Sequence, residues 1–301
     1  MKQWCEYGDE VARALAIKAP VVAFETTVVT HGLPHPDGVT TALLLEQIVR
    51  EAGATPATIG IMGGAIRIGL SPAELEQLAT TPHVAKINLS NLAAAISSRQ
   101  PGSTTVAATM AAAHANAIRV FATGGIGGVH RGASESGDIS SDLTALSRIP
   151  IAVVCAGAKA ILDLPRTVEM LETLGVPVFG FGTDEFPAFY RRSSGLPVDR
   201  PYDSITELAS AVRLHLALGL GTGVLIANPI PIGDEMAPEL YERALHAALW
   251  EAQTQQIRGR AVTPFLLDRM RAVTGGDSVR ANVALLRHNA QLAAAIAVAG
   301  V

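Results

Sequence analysis

The sequence predicts an α/β fold: three α/β/α layers in a single domain, with a mostly parallel central sheet and a helical C-terminal third. Three observations predict it. Short apolar, β-branched runs such as residues 151–155 (IAVVC) recur between glycines, as strands buried on both faces do. Amphipathic helical stretches alternate with them, the pattern of a parallel sheet covered by helices. Small and polar residues collect just after the runs, where open α/β sheets hold their ligands. Fewer than eight persuasive strand–helix units are visible, which disfavours a closed barrel. No repeat, low-complexity segment or linker divides residues 1–301.

Residues 6–17 read as a short helix, and residues 20–30 (PVVAFETTVVT) as a strand with Glu25 in its middle. The prolines and glycines of residues 31–38 make a loop. Residues 39–52 form an amphipathic helix with Leu43, Leu44, Ile48 and Val49 on one face. Residues 57–62 are a strand that Gly63 and Gly64 break. Ser71, Pro72 and Glu74 make a capping box with proline at the first helical position, so a helix runs to about Leu78. Residues 84–88 are a strand carrying Lys86, and residues 92–96 are helical. Ser103, Thr104 and Thr105 open a helix to about Ala115. Residues 118–123 are a strand that runs into the glycine loop 124–132.

Residues 165–174 read as a helix, 176–181 as a strand and 183–195 (TDEFPAFYRRSSG) as a polar-aromatic loop. A helix at 205–218 and a last clear strand at 223–228 follow. Helices at 236–256, 263–272 and 278–298 make up the remainder, with a turn and cap at Gly275–Gly276.

Composition excludes several functions. Hydrophobic residues are 49% and charged residues 17%, ample for a core. A net charge of −4 with 4% aromatics, and no basic patch, argues against a nucleic-acid partner. Cys5 and Cys155 are too few for a disulfide framework and suit a reducing cytoplasm. Glu6, Asp9 and Glu10 stand where a signal peptide would be apolar, and no stretch is long and apolar enough for a membrane span. The expectation is a soluble cytoplasmic protein.

Four sets of residues invite chemistry. Lys159 follows a strand and Ala156-Gly157-Ala158, in a chain with only four lysines: Lys2, Lys18, Lys86 and Lys159. It is either a nucleophilic amine, which arginine cannot replace, or a lysine snorkelling from a strand end. Glu25, a carboxylate in an apolar strand, must be paired or used. Ser103–Thr105 at a helix start is either a phosphate seat or an ordinary N-cap. Asp138, Ser140, Ser141 and Asp142 would suit a hard cation such as Mg²⁺ or Mn²⁺, or simply cap a helix. The run Gly124–Gly128 lacks the third glycine of a dinucleotide fingerprint, because His130 stands in its place.

The motifs FETTVVTHGLPHP, FATGGIGGVHRG, DISSDL, VVCAGAKAILDLP, TDEFPAFY, ANPIP, TPFLL and TGGDSVRAN occur together in this order. Together they resemble the pseudouridine-5′-phosphate glycosidase family over nearly the whole chain. The resemblance implies an α/β/α fold, a homotrimer and a divalent metal ion, Mn²⁺ or Mg²⁺. It implies reversible cleavage of a carbon–carbon glycosidic bond between a base and ribose 5-phosphate. By correspondence, Lys159 would be the Schiff-base lysine and Glu25 the general acid/base. Asp138 would contact the metal, partly through water. Lys86, Val106, Ser140, Ser141 and Asp142 would contact the sugar phosphate, and Asn282 would lie near the aglycone.

Two loops depart from the family's pattern. Ile87-Asn88-Leu89-Ser90-Asn91-Leu92 stands where the family has Val-Ser-Arg-Arg-Asp-Leu. His35 replaces an aromatic residue, and Pro36-Asp37-Gly38 lacks the family's asparagine. If these loops line the aglycone site, the expected activity is C-ribosylation of an aromatic natural-product acceptor, as in antibiotic pathways of the alnumycin type. The alternative is the glycosidase acting on pseudouridine 5′-phosphate. A non-catalytic sugar-phosphate binder is disfavoured because Lys159 and Glu25 are both present.

Overall fold

The computed structural model describes residues 1–257 and 262–301. Among them, one sheet contains β1 (Cys5–Tyr7), β2 (Val21–Glu25), β3 (Thr55–Met62), β4 (Ala65–Ile68), β5 (Ala85–Ile87), β6 (Gly102–Thr104), β7 (Val120–Ala122), β8 (Ala152–Cys155), β9 (Val178–Phe181), β10 (Arg200–Tyr202) and β11 (Val224–Ala227). Its order is β1-β4-β3-β2-β7-β8-β11-β9-β10, with β6 joined to β3 and β5 joined to β6. From β3 through β10 every neighbour is parallel. The sheet is therefore mostly parallel, as expected, with an antiparallel wing where β4 and β6 meet β3. The four residues of β8 are fully buried, and burying Val153 and Val154 stabilises the fold by about 1.5–3 kcal/mol each.

The helices are α1 (Asp9–Ala16), α2 (Asp37–Glu51), α3 (Pro72–Thr80), α4 (Leu92–Ser98), α5 (Val106–Ala115), α6 (Ala133–Ser136), α7 (Ser141–Leu146), α8 (Leu164–Thr173), α9 (Ile205–Ala217), α10 (Pro238–Thr254), α11 (Val262–Val273) and α12 (Asp277–Val298). Alternation along β3 shows how they cover both faces. The Thr58 hydroxyl bonds Glu46 on α2 at 2.6 Å. The β3–β6 register sets the next residue, Ile59, opposite Thr104, whose hydroxyl accepts from Thr109 on α5. So α2 lies on one face and α5 on the other. Helix α12 packs against α2 and α9 and across β2, β7 and β8, while α7 packs beside α5. This is the three-layer, single-domain arrangement with a helical C-terminal region. No helix among the described residues is long and apolar enough to cross a membrane.

Several local expectations need correction. The strand read at residues 20–30 stops at Glu25, and Val28–Gly32 form a π-helical turn. The reason is Thr26, whose hydroxyl donates to the Ile59 carbonyl and accepts from the Thr104 N–H, closing the ladder with a side chain. Glu25 therefore sits at the carboxyl end of its strand. The helix at 6–17 begins only at Asp9, because Cys5–Tyr7 add a parallel edge strand to β4. Ser103 and Thr104 belong to β6, and Thr105 alone caps α5. β4 and β10 were not read from the sequence; each is set by pairing with a strand already in the sheet, β3 and β9. The Ser71–Glu74 capping box forms as expected and stabilises α3 by about 1 kcal/mol.

Candidate active site

The carboxyl ends of β2, β7 and β8, neighbours in the sheet, carry Glu25, Thr123 and the turn to Lys159. Glu25 closes β2 and is 5% exposed. Thr123, just after β7, donates its hydroxyl to Glu25 Oε1 at 2.5 Å, and the Thr27 hydroxyl donates to Oε2. Two hydroxyls thus replace the water a buried carboxylate would lose. Neither threonine was singled out from the sequence. A polar residue at the last position of an apolar run was the available signal for Thr123.

Lys159 leaves β8 through a tightly braced turn. Ile126 bridges Ala158, and the Lys159 N–H donates to the Ile126 carbonyl at 3.0 Å. Gly157 has φ +80 and a Cβ there would strike the Pro187 carbonyl oxygen, so only glycine fits. Phe189 N–H closes the other side on the Ala156 carbonyl at 3.1 Å. Among the described residues, the half-buried Lys159 side chain has no hydrogen-bond or ion-pair partner. The neighbouring Cys155 thiol is pushed up to about 12, first by burial, and is an inert core group.

Lys86 on β5 reaches the same neighbourhood. Burial is the first cause that lowers the His130 imidazole below its usual value; Lys159 and Lys86 push the same way, and Asp138 opposes them. His31 is lowered by burial and then by Lys86. Asp138, Lys159 and Lys86 thus lie within electrostatic reach of His130, and Lys86 within reach of His31. Ser103, fully buried in register with Lys86, has a hydroxyl with no protein partner among the described residues.

The N-terminus of α5 already holds one anion, the Asp142 carboxylate. Thr105 caps Ala108 N–H at 3.4 Å, and Ala107 N–H donates to Asp142 Oδ1 at 3.0 Å. The Val106 N–H has no partner among the described residues. Asp142 is buried, and its second oxygen accepts from Gly127 N–H at 2.8 Å. It ties the glycine loop to α5, so its carboxylate is already engaged by backbone donors. Ser140 caps α7 through Asp142 N–H at 3.2 Å, and Ser141 opens that helix.

No group of three His, Cys, Asp or Glu side chains converges on a metal site among the described residues. Asp138 stands near His130, half-buried. Such a donor set fits a hard cation that keeps several waters and shares a substrate phosphate, not a closed protein cage.

A small cavity of about 160 Å³ is lined by Thr30, His31, Tyr190, Leu267, Ser278 and Asn282 among others; of the groups above only His31 borders it. Asn282 is buried on α12, its amide oxygen 3.4 Å from where a Gly124 Cβ would stand. The two divergent loops do not empty into this cavity. Asn88 and Asn91 are spent on their own turn: Asn91 Oδ1 accepts from Asn88 N–H at 2.8 Å, and its amide donates to the Lys86 carbonyl at 3.1 Å. His35 is exposed and pairs with Glu76 at 2.9 Å. At Gly38 a Cβ would collide with the Val29 carbonyl, so an asparagine has no room there.

A family profile described as indigoidine synthase A like protein matches residues 10–299. A pseudouridine-5′-phosphate glycosidase of Methylobacterium nodulans is 52% identical over 98% of this chain and 87% of its own length. Another, from Caldanaerobacter subterraneus, is 50% identical over 99% and 97%. The crystal structure of the prealnumycin C-glycosynthase AlnA in complex with ribulose 5-phosphate superposes with a TM-score of 0.90. It is 39% identical over 99% of this chain and 97% of that one. The chain belongs to the indigoidine synthase A-like protein family, and the resemblance read from its motifs is borne out by relatives that are pseudouridine-5′-phosphate glycosidases.

Proposed function

We propose that the protein reversibly splits pseudouridine 5′-phosphate and water into uracil and ribose 5-phosphate. The observation that carries this reading is the cavity beside Asn282. At about 160 Å³ it is well below the ~300–1,000 Å³ of pockets for drug-sized ligands. It suits a single pyrimidine better than a polycyclic aromatic acceptor. The loops that argued for such an acceptor are engaged by protein groups, Asn91 by Asn88 and Lys86 and His35 by Glu76, which weakens that argument. The glycosidase relatives, at 50–52% identity, support the same choice. C-ribosylation is the second reading, favoured by the likeness to AlnA at a TM-score of 0.90.

The chemistry follows from the side chains. The Lys159 amine adds at C1′, and the ring oxygen leaves and takes a proton. The nitrogen lone pair then forms a carbon–nitrogen double bond as the bond from C1′ to the base breaks. The base carbon takes a proton from Glu25, which is braced by Thr27 and Thr123. Water hydrolyses the imine, returning free lysine and ribose 5-phosphate. Lys86, the Val106 N–H and the hydroxyls of Ser140 and Ser141 hold the phosphate. A divalent cation at Asp138 would neutralise phosphate charge when bound.

Purified protein should cleave pseudouridine 5′-phosphate. In the synthetic direction its kcat/KM with ribose 5-phosphate should be higher for uracil than for tricyclic aromatic acceptors. The reverse order would replace this reading by C-ribosylation. Asp138→Ala should lower Mn²⁺ occupancy and weaken ribose 5-phosphate binding by about tenfold or more. Full activity in excess chelator would remove the metal from the proposal.

A further inference from the structure

We infer that Asn289 and Asn228 form a buried positioning relay that aims Thr123, and through it Glu25. This rests on the reading of Glu25 as acid/base. Asn289, on α12, is 0% exposed, and Asn228, just after β11, is 1% exposed. Asn289 Nδ2 donates to the Thr123 carbonyl at 2.8 Å and lies 3.5 Å from the Gly124 carbonyl. Its Oδ1 accepts from Asn228 Nδ2 at 2.9 Å. Asn228 N–H is anchored on the Cys155 carbonyl at 2.9 Å. These bonds settle both amide orientations, because a carbonyl can only accept.

The relay ends where chemistry begins. Thr123 N–H pairs with the Val154 carbonyl, so its backbone is held on one side by β8 and on the other by Asn289. With the backbone so held, its hydroxyl donates to Glu25 Oε1. A buried carboxylate that delivers a proton to carbon must present a defined lone pair, and small misplacements of such groups are costly.

Stability alone does not account for the pair. Two amides are taken out of water where α12 packs on β7 and β8. Asn228 Oδ1 is buried there with no protein partner among the described residues, which costs stability. An apolar side chain at 289 could pack there but would leave the buried Thr123 carbonyl without this donor, so the amide both satisfies that carbonyl and fixes the position of Thr123.

The test is a double-mutant cycle on the full-length protein with pseudouridine 5′-phosphate as substrate. Asn289→Leu should lower kcat by about 10- to 100-fold with little change in KM. Thr123→Val removes the hydroxyl and should lower kcat similarly. In the Thr123→Val background, Asn289→Leu should cost less than about threefold further, since coupled residues are non-additive. Borohydride trapping of ribose 5-phosphate on Lys159 should persist in all three variants, because the relay does not reach that amine. Additive losses, or loss of trapping in step with turnover, would overturn the inference. If Asn289→Leu does not fold, Asn228→Ser carries the same cycle, since it reaches Thr123 only through Asn289. Wild-type protein and Glu25→Gln run alongside separate the two failures. A fully active Glu25→Gln defeats the acid/base reading, whereas additivity with an inactive Glu25→Gln defeats only the relay.

Discussion

Lys159→Arg is expected to abolish covalent capture of ribose 5-phosphate under borohydride and to lower turnover by about a thousandfold or more, the scale seen when an enzyme loses its nucleophile. The substitution preserves positive charge but offers no amine that can lose its proton. The site has no other use for that particular amine: Lys159 binds no carboxylate among the described residues and bridges no strands through its side chain. Its turn, in contrast, is braced on both sides by Ile126, Phe189 and Pro187. A rigid backbone carrying an unpaired amine is what covalent chemistry requires. Mass spectrometry of the trapped protein should place the adduct, heavier by the reduced sugar phosphate, on residue 159. An adduct elsewhere, or an active arginine variant, would rule the imine out.

Glu25→Gln should slow cleavage by about 10²- to 10⁴-fold, the range for removing a general acid or base. The amide has the same shape, and the Thr27 and Thr123 hydroxyls can bond to it, so the fold should be unaffected. Imine formation with ribose 5-phosphate should persist, because the proton lost to the substitution is the one delivered to the base carbon. The two variants therefore divide the reaction. Arginine at 159 stops it before the covalent stage, and glutamine at 25 stops it after. A glutamine variant that also fails to be trapped would show that Glu25 serves ring opening as well.

The sequence displayed the parts of this protein whose physics is local. The buried run before Lys159 is a strand, the Ser71–Glu74 pattern is a capping box, and the glycine loop after β7 is a loop. What escaped depends on partners far along the chain. β1 exists because Cys5–Tyr7 pair with Ile66–Ile68, and no periodicity within three residues reveals that. The strand at 20–30 ended early because Thr26 bonds to Thr104, 78 residues away. Asp142 shared a motif with Asp138, yet only distance in space separates them: one is buried under two backbone donors, the other is half-buried near His130. The partners of the loops at 35–38 and 88–91 were hidden from the sequence for a related reason. Their composition differs from the family's, yet Gly38 lies against the Val29 backbone and Asn91 bonds the Lys86 carbonyl.

Helix α12 has a consequence for how the enzyme comes into being. It lies across β2, β7 and β8 and carries both Asn282 and Asn289. Every other element of the site leaves the ribosome before it does. Until α12 arrives, the middle of the sheet, including Phe24 and Ala122, lacks the Leu286 that closes over it. Nascent chains fold from the N-terminus as they emerge, so this one must wait with its central strands uncovered. Newly made chains should therefore depend on chaperones until synthesis passes residue 298, and a fragment ending before α12 should aggregate instead of retaining partial activity.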